Sequence, residues 1–178
     1  MTLQNHIIFF IAITTMVCSC DALDELTEFD INQDFETTIH VVLTEDSEGE
    51  PVPITETSTI DISSNQEIQD NLELLQNVSI NIITFQVDNV IGTEDARITN
   101  INLNFANTSI TIDDLNLKQS DDNNTIFTIN DSVQLNAISN YLENNTNMTI
   151  TLNATISEAP AQFQLQLTLD TTVTVDVL

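Results

Sequence analysis

Basic residues are almost missing from this chain: Arg97 and Lys118 stand alone against 28 Asp and Glu, giving a formal net charge of -26 over 178 residues. A nucleic-acid binder needs Lys and Arg to displace counterions from phosphates, so no nucleic-acid partner is expected, and the same repulsion disfavours anionic headgroups. Tryptophan is absent and tyrosine occurs once, which removes the aromatic platforms on which glycosidases hold a sugar ring. With two Gly and three Pro, turns fall to Asp and to the 21 Asn, which tolerate left-handed backbone and bond to their own main chain. No G-x-G-x-x-G, phosphate loop or H-E-x-x-H occurs.

What is present is β-branched. Ile, Val, Leu and Phe supply 59 of the 178 residues, well above the roughly 20% below which a highly charged chain stays unfolded. The 23 Ile, 11 Val and 25 Thr suit a pleated surface, so strands should dominate.

Ile7 to Val17 form an apolar run of 11 residues, too short to span a bilayer and of the length of a secretory signal core, although MTLQNH before it lacks Lys and Arg. The run ends in Val17-Cys18-Ser19-Cys20, an order of aliphatic, variable and small residues before Cys that resembles the lipobox of bacterial lipoproteins. The resemblance implies a signal peptide over residues 1–19, cleavage between Ser19 and Cys20, and a lipid on the Cys20 sulfur, with two or three acyl chains giving a stable membrane anchor. Read instead as a C-x-C metal pair, Cys18 and Cys20 have no further Cys or nearby His to complete a tetrahedral site.

Asp21, Asp24, Glu25, Glu28, Asp30 and Asp34 follow the Cys, so residues 20–34 read as a self-repelling tether. Acids there resemble surface-export signals of Bacteroidota-type lipoproteins, while an Asp directly after the Cys resembles the inner-membrane retention signal of enteric bacteria. The resemblance thus places the chain in the cell envelope, at the outer membrane or cell surface on the first reading.

Residues 35–178 are expected to form one mainly β domain, an antiparallel two-sheet β-sandwich with two short helices near 65–75 and 132–142. Phe35, Thr37, Ile39, Val41 and Leu43 alternate; Ser64-x-x-Glu67 reads as a capping box before Ile68, Leu72 and Leu75. From Val78 to Val87 the apolar phase switches at Ile82-Ile83, which predicts a bulge. Asp88 to Gly92 reads as a turn and Gln119 to Asn124 as a polar loop. Met148 to Ile156 alternates strictly, and Phe163 to Val177 keeps one phase on odd positions; at about 3.3 Å per residue Ala161 to Val177 could run roughly 55 Å, read as one long bent strand or two strands sharing a phase. A shift of 70 residues superposes Ile68 on Ile138, Leu72 on Leu142 and Asn77 on Asn147, predicting two helices placed equivalently on a β framework.

Chemistry-bearing residues are sparse. His40 is the single His of the mature chain and lies on the face opposite Ile39 and Val41, a poor position for a base. Asp46 and Glu48, and Asp121 and Asp122, sit in oxygen-rich loops that could hold loosely bound Ca²⁺, though neither matches an EF-hand spacing. The expected function is therefore a noncatalytic protein-binding or structural module, anchored to the membrane through Cys20 and serving an envelope protein partner. A small-molecule or glycan-binding accessory lipoprotein is the alternative, and it needs a pocket lined by Phe85, Phe105, Phe127 or Phe163. A further expectation is that the C-terminal strand pairs with another subunit.

Overall fold

The computed structural model describes residues 28–176. The signal segment, the lipobox and the first part of the tether lie outside the described residues, as do Val177 and Leu178. The strands are β1 (Glu28–Leu43), β2 (Val52–Asp61), β3 (Leu75–Ile91), β4 (Arg97–Phe105), β5 (Thr108–Ile112), β6 (Leu115–Asn116), β7 (Ile126–Ile129), β8 (Asn147–Ile156) and β9 (Ala161–Asp176). The helices are α1 (Gln66–Asp70), α2 (Leu117–Asp122) and α3 (Ser132–Asn144).

The strands form two antiparallel sheets, in the orders β1-β9-β3-β7 and β2-β8-β4-β5, with β6 beside β4. Outermost strands pair with outermost and inner with inner: β1 with β9, β2 with β8, β3 with β7 and β4 with β5. Such nested pairing is an antiparallel ribbon rolled on itself, the jelly-roll form of the β-sandwich, which buries the alternate side chains of both sheets against each other. β9 shows why. Its odd-numbered residues from Ala161 to Val175 are all buried and its even-numbered ones are not, so one unbroken period of two holds β1 on one edge and β3 on the other. The strand is continuous, and it pairs within its own chain.

Exchanging the two sheets maps β2, β8, β4 and β5 onto β7, β3, β9 and β1, because the neighbour orders then coincide. The chain passes from β2 to β3 through α1 and from β7 to β8 through α3, each time crossing between sheets. The equivalent helix placement expected from the 70-residue shift is therefore present in the topology.

Three expectations are corrected. β1 begins at Glu28, inside the segment read as a tether: Phe29 and Ile31 face inward while Glu28, Asp30 and Asp34 face water, so residues 28–34 belong to the sheet. The helix expected over 65–75 is broken into a 3-10 turn at Ile62–Ser64, the five-residue α1, and a second 3-10 turn at Leu72–Leu74. Its cap is Asn65, whose Oδ1 accepts from Glu67 N–H at 2.9 Å and Ile68 N–H at 3.1 Å, while the Ser64 hydroxyl donates instead to Asp61 O at 2.6 Å. The polar loop expected at 119–124 is largely α2, held by the buried Leu117 and Ser120 and capped by Asn116, whose Oδ1 accepts from Gln119 N–H at 2.7 Å.

β3 shows three register shifts: one between Leu75 and Asn77 at its start, one between Ile80 and Ile82 that is the bulge foreseen at the phase switch, and one between Asp88 and Ile91 where a turn was expected. A bulge releases a main-chain N–H from the ladder, and a buried orphan is costly. At the second and third shifts the helices capture a donor. Ile80 N–H donates to Ser139 Oγ of α3 at 2.9 Å in a buried environment, and Val90 N–H donates to Asp121 Oδ2 of α2 at 2.9 Å. Ser139→Ala should leave the Ile80 N–H unpaired and lower unfolding stability by about 1–3 kcal/mol, read by urea denaturation; a change no larger than that of a surface Ser would contradict this role.

Candidate functional site

Most polar residues flagged in the sequence have structural work. Asp46 Oδ1 accepts from Glu48 N–H at 2.8 Å, closing the turn in which Glu48 adopts a φ of 54°. That loop is tied to the β8–β9 turn through Ser47, whose N–H donates to Ala159 O at 3.2 Å and whose Oγ accepts from Ala159 N–H at 2.9 Å. Asp121 serves the β3 bulge, while Asp122 forms an ion pair with Lys118 one helical turn before it. That hydrogen bond is the main cause holding the exposed Lys118 ammonium above its ordinary pKa, the Coulombic pull of Asp122 itself adding to it. Among the described residues no group of three or more His, Cys, Asp or Glu is placed to hold a metal ion. Cys18, Ser19 and Cys20 lie outside the described residues, and His40 is exposed on the outer face of β1.

The four Phe proposed for a ligand pocket divide. Phe85, Phe105 and Phe163 are buried core residues, and Phe127 is partly buried against them. Phe85 and Phe127 stack with ring centroids 4.8 Å apart and planes within 12°, an arrangement worth about 0.5–1.5 kcal/mol beyond area burial. They border an open groove of about 400 Å³ between β5 and β7, shared with Ile110, Ile112, Leu115 and Ile129 and rimmed by Asp113 and Asp131. β5 and β7 end their respective sheets, so each presents an unpaired ladder edge beside this groove. Ile126 of β7 is 65% exposed, in the phase of the strand opposite to the groove-lining Phe127 and Ile129. On the opposite flank the corner is closed: Thr37 of β1 shares a hydrogen bond of 2.5 Å with Ser58 of β2, and its hydroxyl lies 3.2 Å from Thr59 O. A second, more polar groove of about 480 Å³ there is lined by Asp34, Glu36, Asp61 and Asn65 among others. Sequence reading missed the β5–β7 groove because it depends on which strands end the sheets, a property of topology that no local pattern carries.

Charge is divided unequally between the two outer faces. On the β1-β9-β3 face, Glu28, Asp30, Asp34, Glu36, Asp88, Asp170 and Asp176 occupy outward positions of the register. Asp34 and Asp170 are directly opposite each other, a like-charged pair that costs the sheet stability.

No family model and no curated protein matches this chain. Among solved structures it is similar to the decameric BFDV capsid protein, with 7% identity over 82% of this chain and 98% of that one and a TM-score of 0.47. It is also similar to the Desmodium yellow mottle tymovirus structure, with 12% identity over 84% of each chain and a TM-score of 0.41. Functional reading rests on this chain's own residues.

Asp34→Asn should raise stability by a few tenths to about 1 kcal/mol by relieving the repulsion with Asp170, an effect that shrinks as salt is added. Thermal melts at low and high ionic strength measure both.

Proposed function

We propose that the chain is a cell-envelope lipoprotein, anchored through Cys20, whose β-sandwich is a noncatalytic module that holds a protein partner. Anchoring is supported by Val17-Cys18-Ser19-Cys20 placed directly behind the apolar run of 11 residues. The observation that carries the binding reading is the groove between the unpaired edges of β5 and β7. It has an apolar floor and an acidic rim at Asp113 and Asp131. An extended segment laid there would satisfy main-chain groups on an open edge and place alternate side chains against the partly exposed Phe127 and Ile112. With a formal net charge of -26 over the chain, the favoured partner segment is basic. The C-terminal strand is not the donor of such an edge contact, since β9 is paired on both sides within its own sheet.

On this reading, metabolic labelling with radioactive palmitate marks the native chain in the membrane fraction, and Cys20→Ala loses both label and membrane association. Label that survives the substitution would overturn the anchor. Thr128→Lys, an exposed residue lining the groove, should leave the melting temperature unchanged while abolishing chemical cross-linking to the envelope partner in intact cells, because it sets a like charge against a basic segment; an undiminished cross-link would remove the groove from the reading.

A further inference from the structure

The second outer face differs from every other part of the surface. Pairing of β2 with β8 runs without a break over ten residue pairs, from Val52 opposite Ile156 to Asp61 opposite Asn147. The inward residues Ile54, Ile60, Met148, Ile150, Leu152, Ala154 and Ile156 are buried. The outward rows are then fixed: Thr55 opposite Asn153, Thr57 opposite Thr151 and Thr59 opposite Thr149, with Thr155 opposite Pro53. β4 extends these rows with Thr99, Asn102 and Asn104, and β5 with Thr111 and Ser109. In a chain with 28 acids, the charged outward residues within these strands stand at strand ends, Asp61 and Arg97, with the Asp114 carboxylate beyond β5 accepting from Asn100 N–H at 3.3 Å.

Two cross-strand bonds fix side chains within the array: Thr55 Oγ1 donates to Asn153 Oδ1 at 2.9 Å, and Thr111 Oγ1 to Asn102 Oδ1 at 3.0 Å. Thr57, Thr59 and Thr149 are exposed, so each turns a hydroxyl and a methyl to the solvent. Sheet geometry spaces such groups about 4.8 Å across the strands and about 6.8 Å along them. The result is a two-dimensional net of hydroxyls and methyls without charge.

Each property narrows the ligand. Absence of charge excludes polyanions and gives a polycation nothing to grip, whereas the other sheet offers seven outward acids. Every hydroxyl and amide here both donates and accepts, which matches a neutral ligand whose groups do the same. Repetition in two directions matches a lattice better than a single small molecule. A neutral polysaccharide meets these conditions in part, but sugar rings are held on aromatic faces and none is present here. Water ordered as ice needs no aromatic platform: hydroxyls enter its hydrogen-bond net, and methyls settle into the cages between.

We propose that the outer face of the β2-β8-β4-β5 sheet, centred on Thr57, Thr59, Thr149 and Thr151, binds ice. Sheet twist limits the match to neighbouring strands, because these rotate by roughly 20–25° against each other, and the unbroken β2–β8 pair at one edge of the sheet keeps its rows aligned. The proposal stands independently of the groove between β5 and β7.

The full chain carrying Cys20→Ser, which cannot be acylated at that sulfur, is frozen slowly from solution onto an ice probe beside a non-binding control protein of the same size. Incorporation into the ice and suppression of recrystallisation are the expected results. Thr57→Lys with Thr149→Lys should cut the ice-held fraction about tenfold or more, the effect of losing roughly 1.4 kcal/mol, at an unchanged melting temperature. Gln166→Lys on the opposite sheet should leave it intact. Exclusion of the Cys20→Ser chain from ice, like the control, would overturn the proposal, as would equal loss from Gln166→Lys. Retention on amylose or crystalline cellulose together with exclusion from ice would also overturn it, and would assign the face to a neutral polysaccharide.

Discussion

β9 is the constraint on which the remaining structure depends. It is sixteen residues long, with every second side chain buried and neighbours on both edges. A slip of one residue would turn Phe163, Leu165, Leu167, Leu169, Val173 and Val175 into water at once, so its register is the most heavily specified in the molecule. The one polar residue on its inner side, Thr171, is fully buried, and its hydroxyl donates to Leu169 O at 3.2 Å. Once β1 and β3 are aligned to this strand, the nested pairing leaves β2, β8, β4 and β5 little choice but to close over it.

Curvature comes from β3. β1 keeps a regular ladder with β9 over its whole length, whereas the seventeen-residue β3 shifts register three times along the same strand, and such bulges bend a strand. At two of the shifts a main-chain donor is taken by a helix side chain, Ser139 at one and Asp121 at the other. The helices are thus fixed to the sandwich by polar contacts as well as by the buried Leu135, Ile138 and Leu142 of α3 and Leu117 of α2. Two carboxylates of the oxygen-rich loops take part in this framework: Asp46 accepts from Glu48 N–H and Asp121 from Val90 N–H.

The strands were legible where one face is apolar and the other polar, as along β8 and β9, because period-two burial writes itself directly into the sequence. Glu28 to Asp34 was misread because its acids drew attention away from Phe29 and Ile31, which continue the odd-numbered phase of Phe35, Ile39 and Val41. α2 escaped because six residues with two buried ones are too few to establish a helical period, and its cap residue, Asn116, is one of many Asn in the chain. The bulge at Ile80–Ile82 could be foreseen from the phase switch, but its Ser139 partner is 59 residues away and no local pattern connects them. Neither the open β5–β7 flank nor the uncharged second sheet could be read beforehand, since both follow from which strands became neighbours.

Charge and topology together give the molecule two unlike faces: one with seven outward acids on β1, β9 and β3, and one whose outward rows are hydroxyls and amides. Both are consequences of the register set by β9, so the account stands or falls on that strand's place at the centre of its sheet. Native-state hydrogen exchange reads it most directly. The hydrogen-bonded amides of residues 163–175 should exchange only through global unfolding, with the bulge donor at Ile80 following them. Exchange of β9 amides through a local opening, well before the rest of the core, would contradict it.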